Sequence, residues 1–335
     1  MTSRRYLDQR LRLGLLRAVD AVATHGSLLK AATALGISQP ALSKSLHELE
    51  ELLQASLFHR HARGVRPTAA GLVFLRSARR MLAELRRLDE ELDELAGSGG
   101  SVAVGALPVT AAGVLPGALV QLKAANAEIK IRLRQGRTEE LLPLLASGEL
   151  DLVVGRLYEP TVPDGFARES LWTEPISILA RAGHPVFAGA SPVSVEALRR
   201  YELVLPTVSQ RVGQEIEHLL SLLGLLPTAP LRASSEGFIR EMLLATDLIA
   251  VMPRLMMAGD LLRGTLRVVP LPIAAPDRPA GLILPRDRAL SEAGRAFVAS
   301  LRSHVAEVLA HGLGAITTGN NDDPTSDTTG ARREM

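Results

Sequence analysis

The chain has no cysteine. That excludes disulfides, thiolate zinc sites and a cysteine nucleophile, and it fits a reducing compartment. Aromatic residues are scarce at 3%, so any core must be aliphatic, built from Leu, Val, Ala and Ile. No run of about 18 uncharged apolar residues occurs, so no transmembrane helix and no membrane partner are expected. The first residues carry Arg4, Arg5, Asp8, Arg10 and Arg12 with no apolar stretch behind them. They do not read as a signal peptide, and a cytoplasmic protein is expected. Catalytic signatures are missing as well: no GxSxG, no HExxH, no GxxxxGK phosphate loop, and no GxGxxG between a strand and a helix. The histidines offer one short spacing, His59-x-His61, and no third ligand stands near it. No enzyme activity, metal or cofactor is expected.

What is present is ample apolar content and an uneven charge. With 335 residues, 47% of them apolar, two or three domains with sizeable cores are expected. The first 80 residues hold 13 Lys+Arg against 5 Asp+Glu, and the other 255 hold 25 against 31. A basic head on an acidic body is the charge pattern of a nucleic-acid-binding module joined to something else.

The most informative stretch runs from Ser27 to Glu50. Ala31, Ala32 and Leu35 give a first short helix its apolar stripe. Gly36 fits the left-handed residue that ends it. Ser38 is a good N-cap, and Pro40 sits in the first turn of a second helix, where its missing N–H is harmless. Leu42, Leu46, Leu49 and Leu53 then share one buried face. The opposite face carries Gln39, Pro40, Ser43, Lys44 and His47. Such a face, polar and weakly basic, suits a DNA major groove. A plain helical hairpin would share the leucine spacing, but it would not explain the charge of the head.

Around this pair, Leu11–Thr24 reads as a supporting helix. Ser56–Thr68 reads as a two-stranded wing, with Leu57, Phe58 and Val65 alternating with Arg60, Arg63 and Arg66. These arginines would meet phosphates or enter a minor groove. Thr68 caps the next helix and belongs to the DNA-contacting set. That helix runs to about Leu95, with Gly71, Phe74, Ala78, Met81, Leu85, Leu88, Leu92 and Leu95 at the three-and-four spacing of a coiled-coil seam. The expected partner of the seam is the same helix of a second chain; the alternative is the chain's own second half. Charged positions such as Glu84, Arg86 and Glu91 favour a solvated rod and the dimer. Residues 96–101 form a Gly/Ser hinge. Beyond it short aliphatic strands alternate with helices, which predicts an α/β body with largely parallel sheets. The tail, rich in Thr, Asn, Asp and Gly, is expected to be disordered.

This order of parts resembles the LysR-type transcriptional regulators. The resemblance is carried by Gly26-Ser27, Lys30-Ala31-Ala32, Ser38-Gln39-Pro40-Ala41-Leu42-Ser43-Lys44, Leu49-Glu50, Leu57-Phe58 with Arg60, and Pro67-Thr68-Ala69-Ala70-Gly71. The body matches more loosely, through Leu115-Pro116, Gly148-Glu149-Leu150-Asp151-Leu152 and His184-Pro185. The lead-in LRLGLL and the wing HARGVRPTAAG look somewhat like regulators of aromatic-acid or sugar catabolism. Three stretches depart from the family's pattern: Leu28-Leu29, His47, and Thr246-Asp247-Leu248-Ile249.

The resemblance implies an α+β multidomain protein. A winged helix-turn-helix would span 1–67, a linker or dimerisation helix 68–95, a hinge 96–101 and an effector-binding domain 102–312, followed by the tail, 313–335. The effector domain would fold like a periplasmic binding protein. Its first subdomain would take about 102–180 and 277–312, and its second about 181–276, with crossings near Arg181 and Pro276. Implied partners are double-stranded promoter DNA, further copies of the chain as a homodimer or homotetramer, and RNA polymerase. The effector would sit in the cleft between the subdomains.

Ligands of open α/β sheets lie beyond the carboxyl ends of strands. Those ends offer Pro108, Val109 and Thr110; Gly136, Arg137 and Thr138; Arg156; Pro206 and Thr207; and Ser234 and Ser235. The hydroxyls could bond a ligand, and Arg137 or Arg156 could clamp a carboxylate, which points to a small organic acid. Hydroxyls in such places also cap helices, and arginines also face solvent. Two other functions compete: an enzyme with its site in the cleft, and an architectural DNA-binding protein without a ligand.

The groove-facing reading of the second helix makes a first prediction. Lys44→Ala should weaken binding to a specific site more than to random DNA in gel-shift titrations. Equal losses on both would reduce Lys44 to a phosphate contact.

Overall fold

The computed structural model describes residues 10–61, 64–95, 99–158, 160, 162–189, 192–225, 231–271 and 278–313. Arg63, the first part of the hinge, Pro276 and the tail beyond Leu313 lie outside the described residues.

The head starts with α1 (Leu13–His25), which lies beneath α2 (Leu28–Leu35) and α3 (Gln39–Leu53). Two serines set the frame of the pair. Ser27 Oγ accepts the Lys30 N–H at 3.5 Å, and Ser38 Oγ accepts that of Ala41 at 3.3 Å. Gly36 closes α2 with φ +66°, a conformation cheap only for glycine. Leu15, Val19, Val22, Ala31, Leu42, Leu46 and Leu49 make the aliphatic core.

The wing pairs β1 (Phe58–His61) with β2 (Gly64–Pro67), antiparallel, His59 opposite Arg66. Its lead-in is clamped from both sides. Leu57 N–H donates to Glu50 Oε1 at 2.7 Å, and Leu57 O accepts the Thr68 N–H at 2.9 Å. Thr68 Oγ1 donates to Ser56 O at 2.7 Å and accepts the Gly71 N–H at 2.9 Å, so the wing and the next helix share one cap.

That helix, α4 (Ala69–Leu95), divides the expected seam. Ala78 is fully buried with Leu16 and Leu82, and Phe74 packs on the same cluster and on the head's core. Phe74 and Ala78 therefore find their partners within the chain, because three-and-four spacing fits any apolar neighbour. Met81, Leu85, Leu88 and Leu92 remain exposed; the side chain of Leu95 lies outside the described residues. Nor is the helix a solvated rod. Arg80 Nε donates to Ala146 O at 3.0 Å, Arg87 Nη2 lies 3.2 Å from Asp151 Oδ1, and Glu90 pairs with Arg132 at 3.2 Å. One face of α4 thus packs on the chain's own second half.

The body begins with β3 (Ser101–Ala106), α5 (Pro108–Gly113), α6 (Leu115–Ala125), β4 (Lys130–Gln135), α7 (Thr138–Ser147), β5 (Leu152–Arg156) and β6 (Phe166–Thr173). Next come β7 (Ile176–Arg181), α8 (Val195–Leu198), β8 (Leu203–Pro206), α9 (Gln210–Leu222), β9 (Leu231–Ala233), α10 (Glu236–Ala245), β10 (Ile249–Pro253), α11 (Ala258–Arg263) and β11 (Leu266–Val268). β12 (Pro279–Pro285) and α12 (Glu292–Ala310) close the fold. Two five-stranded sheets result, ordered β4-β3-β5-β12-β6 and β11-β7-β10-β8-β9. α12 returns to α6, and its Phe297 joins Trp172, Val104, Leu152 and Leu282 in the first subdomain's core.

Three expectations are corrected here. The sheets are mixed, not largely parallel: β12 runs antiparallel to β5 and β6, and β7 runs antiparallel to β10 and β11. These strands enter from the crossings and so arrive against the local direction. β6 was not foreseen, because Phe-Ala-Arg-Glu-Ser-Leu-Trp-Thr has no apolar alternation. The first crossing lies at Glu174-Pro175, between β6 and β7, rather than near Arg181.

A methyl group on Gly71 would stand 2.0 Å from Leu57 O, against backbone fixed on both sides. Gly71→Ala should therefore destabilise the head by about 1–3 kcal/mol. The readout is a lowered melting temperature together with weaker DNA binding; an unchanged melt would mean that α4 can shift its start freely.

Candidate functional site

Most of the residues expected to face the groove are exposed on α3. On α3, Gln39, Pro40, Lys44 and His47 are exposed, Ser43 is half-buried, and Ser38 stands at the N-cap. His47 Nε2 lies 3.2 Å from Glu51 Oε1, one turn on. Both side chains are well exposed, so this pair holds His47 only weakly. Arg66 is exposed on the wing. Arg60 stands on β1 opposite Val65; its side chain, like all of Arg63, lies outside the described residues. Thr68 departs from expectation. Its hydroxyl is engaged by Ser56 and Gly71, so it locks the wing to α4 rather than offering a free donor to DNA.

The second site is a cavity of about 860 Å³ between the two subdomains. It opens where the carboxyl ends of β3, β4, β5, β8 and β9 face each other. Pro108, Val109, Thr110, Arg137, Thr138, Arg156, Pro206, Thr207 and Ser234 all line it, as expected from strand ends. Gly136 and Ser235 do not. Gly136 is packed against Glu140 and Leu141, and Ser235 Oγ caps α10 by accepting the Phe238 N–H at 3.2 Å.

The cavity's chemistry comes largely from residues that strand ends do not predict. Arg278, on the return crossing, and Glu174, on the outward one, have side chains only 2% exposed. The two crossings lie side by side, with the Glu174 N–H donating to Arg278 O at 2.8 Å. Arg278 Nη1 donates to Glu174 O at 3.1 Å and stands 3.7 Å from Glu174 Oε2. Glu215, on α9 of the second subdomain, reaches both arginines. Its Oε1 is 3.3 Å from Arg156 Nη2, and its Oε2 is 2.8 Å from Arg278 Nη2, a contact too misaligned for a hydrogen bond.

Burial governs the charges here. It pushes the Glu174 carboxyl up to about 7, against the opposing pull of Arg278 and Arg156. Burial also lowers Arg156 from the usual guanidinium range, with Arg278 beside it acting in the same direction. Tyr158 is raised by burial too. The Arg211 guanidinium lies 4.1 Å from the centre of its ring, and that of Arg156 lies 5.4 Å away. Among the described residues, Arg156 Nε and Nη1, Arg278 Nε and Nη2, and Thr110 Oγ1 are buried without a hydrogen-bond partner. Buried donors in native proteins are normally paired; Arg278 Nη2 keeps its ion-pair contact with Glu215, whereas Arg156 Nε and Nη1 and Arg278 Nε have no such contact. The cavity thus carries Arg137, Arg156, Arg211 and Arg278 together with Glu139, Glu174 and Glu236, and hydroxyls on its wall.

Glu174 did leave a sequence signal: it is the single charge in Ser-Leu-Trp-Thr-Glu-Pro-Ile-Ser-Ile-Leu-Ala. Arg278, among prolines, left none.

Known proteins match both parts of the chain. A family described as bacterial regulatory helix-turn-helix protein, lysR family, matches residues 13–72, and the LysR substrate binding domain matches residues 96–306. The HTH-type transcriptional regulator PcaQ of Agrobacterium fabrum is 34% identical over 284 residues, covering 84% of this chain and 91% of its own length. A full-length OxyR variant from Pseudomonas aeruginosa shares the fold with TM-score 0.62 at 24% identity, over 87% of this chain and 98% of that one. Full-length CbnR in complex with its target DNA gives TM-score 0.60 at 19% identity, over 89% and 100%.

Proposed function

The chain belongs to the LysR family of DNA-binding transcriptional regulators, and from that premise we propose how it reads DNA and what it senses. Gln39, Pro40, Ser43, Lys44 and His47 enter the major groove, with Ser38 at the helix start on a phosphate. Arg60, Arg63 and Arg66 of the wing contact the backbone or the minor groove. Met81, Leu85, Leu88 and Leu92, exposed in a row on α4, form the contact between two chains, which places two recognition helices on two half-sites. The dimer can pair again into a tetramer.

The effector is a small organic acid. The observation that carries this is the set of unpartnered N–H groups on Arg156 and Arg278 at the floor of the cleft. Bidentate guanidinium binding suits a carboxylate, and Thr110, Thr138 and Thr207 on the wall would orient the rest of the molecule. The target is a catabolic operon, a reading supported by the likeness of the lead-in and wing to regulators of aromatic-acid or sugar catabolism.

Footprinting across the intergenic DNA beside the protein's own gene tests the whole. Two spaced protected half-sites are expected, with their length or bending changed by a carboxylate from a metabolite pool. Protection that responds only to neutral compounds would remove the organic acid from the reading. The dimer has its own test. Leu88→Asp puts a charge into the exposed row and should yield a smaller species by sedimentation. A variant sedimenting like the parent would exclude this contact.

A further inference from the structure

The floor of the cleft contains one carboxylate more than its cations can match once a ligand is bound. Arg156 and Arg278 bring two positive charges. Glu215 touches both, at 3.3 and 2.8 Å. Glu174, beside Arg278, supplies a second negative charge when ionised. In the empty cleft, two cations then face two anions. An effector carboxylate on Arg156 Nε and Nη1 and Arg278 Nε, the N–H groups that no carboxylate engages, is a third anion in the same buried cluster. A buried charge without a counter-charge is strongly disfavoured.

One carboxyl must give way, and geometry singles out Glu174. Glu215 has ion-pair contacts to two guanidinium groups and a side chain 26% exposed. Glu174 has its one side-chain approach to a cation at 3.7 Å and is only 2% exposed. Resting on the organic-acid reading above, we infer that the effector anion binds together with one proton, and that the proton goes to the Glu174 carboxyl. Solvent supplies the proton; no covalent bond to the ligand forms. Glu174 then acts as an internal competitor: ionised, it balances the arginines that the effector would use, and neutral, it leaves them to the effector.

Three charged groups act on Glu174. Arg278 comes from the return crossing, Arg156 from the end of β5, and Glu215 from α9. The Tyr158 ring lies against both Arg156 and Arg211, and Arg137, Glu139 and Glu236 complete the charged lining of the cavity. Glu236 is itself raised by burial, but neither arginine shifts it. Since the empty-site carboxyl of Glu174 titrates at about 7, the exchange falls near neutral pH. The sign follows. Below that value Glu174 is already neutral, and affinity is independent of pH. Above it a proton must be taken up, and affinity falls by up to about tenfold per pH unit.

The test uses the full-length protein and a fixed panel of small carboxylates that are fully ionised at pH 6. Thermal shift at pH 6 selects the strongest binder, and calorimetry gives its Kd from pH 6 to 8.5. The parent should bind about tenfold more weakly at pH 8.5 than at pH 7.5. Titrations in two buffers of different ionisation enthalpy should find close to one proton taken up at pH 8.5. Glu174→Gln, which mimics the neutral carboxyl, should bind at pH 8.5 as tightly as at pH 6. A parent Kd equal at both pH values, absence of proton uptake, or a slope that survives Glu174→Gln would each overturn the inference while leaving the organic acid in place. If no carboxylate in the panel binds at pH 6, the organic-acid reading fails and takes this inference with it. Should Glu174→Gln not fold, proton uptake by the parent still decides.

Discussion

Two guanidinium groups buried between two subdomains are the constraint around which the body is arranged. Arg156 ends a strand of the first sheet, Glu215 stands on a helix of the second subdomain, and Glu174 and Arg278 sit on the two strands of chain that join the halves. The cluster is therefore both the floor of the cavity and the hinge of the domain. Burying such charges is unfavourable unless each is paired and hydrogen-bonded, and this set is paired but incompletely hydrogen-bonded. The aliphatic cores on either side supply the stability that lets an unsatisfied floor persist.

The cleft is not mechanically isolated from the DNA-binding head. Helix α7 starts at the cavity with Thr138, after Arg137, and ends at Ser147 against the linker helix. Strand β5 runs back from that contact to Arg156 at the cleft floor. The turn between them carries Glu149 and Asp151, which meet Arg79 and Arg87 of α4. Arg79 also pairs with Asp20 of the head at 2.7 Å, so three parts of the chain meet at one side chain. Exposed ion pairs contribute little, about 0–1 kcal/mol each. The firmer part of this junction is Arg87 with Asp151, both side chains 19% exposed, and the close approach of Ala83 to Gly148. The opposite face of α4 keeps Met81, Leu85, Leu88 and Leu92 exposed, so one helix packs on its own chain on one side and presents an apolar row on the other.

Local chemistry made much of this legible from the sequence. Serine caps, a left-handed Gly36 and leucines on one face identify the helix pair, because each of these acts within a few residues. Strand ends located the cavity and part of its wall for the same reason: a carboxyl end is a local feature, and topology only has to bring several together. The misses share the opposite property. Phe74 and Ala78 have the spacing of a seam, but spacing cannot say whether the apolar neighbour is a second chain or Leu16. β6 lacks alternation because Phe166 to Leu171 are all half-buried and burial comes only at Trp172 and Thr173, with Arg168 and Glu169 adjacent in the strand. Thr68 looks like a DNA contact until its hydroxyl is seen engaged on both sides.

Arg278 shows where sequence reasoning of this kind ends and where it can be extended. Its partners, Glu174 and Glu215, lie far away along the chain, and the positions meet only because the chain crosses twice between sheets. No window around Arg278 contains that information. Glu174 is different, since a lone acid between Leu171-Trp172 and the aliphatic start of β7 must either reach solvent at the turn or be buried with a counter-charge. The first outcome gives an ordinary surface turn; the second demands a cation from elsewhere and shifts the acid's titration upward. Proline at the next position favours the second outcome here, because it shortens the connection and holds the acid between the sheets. A single charge inside a strand–proline–strand crossing is thus a readable sign of a buried titratable group, even when its partner cannot be named in advance.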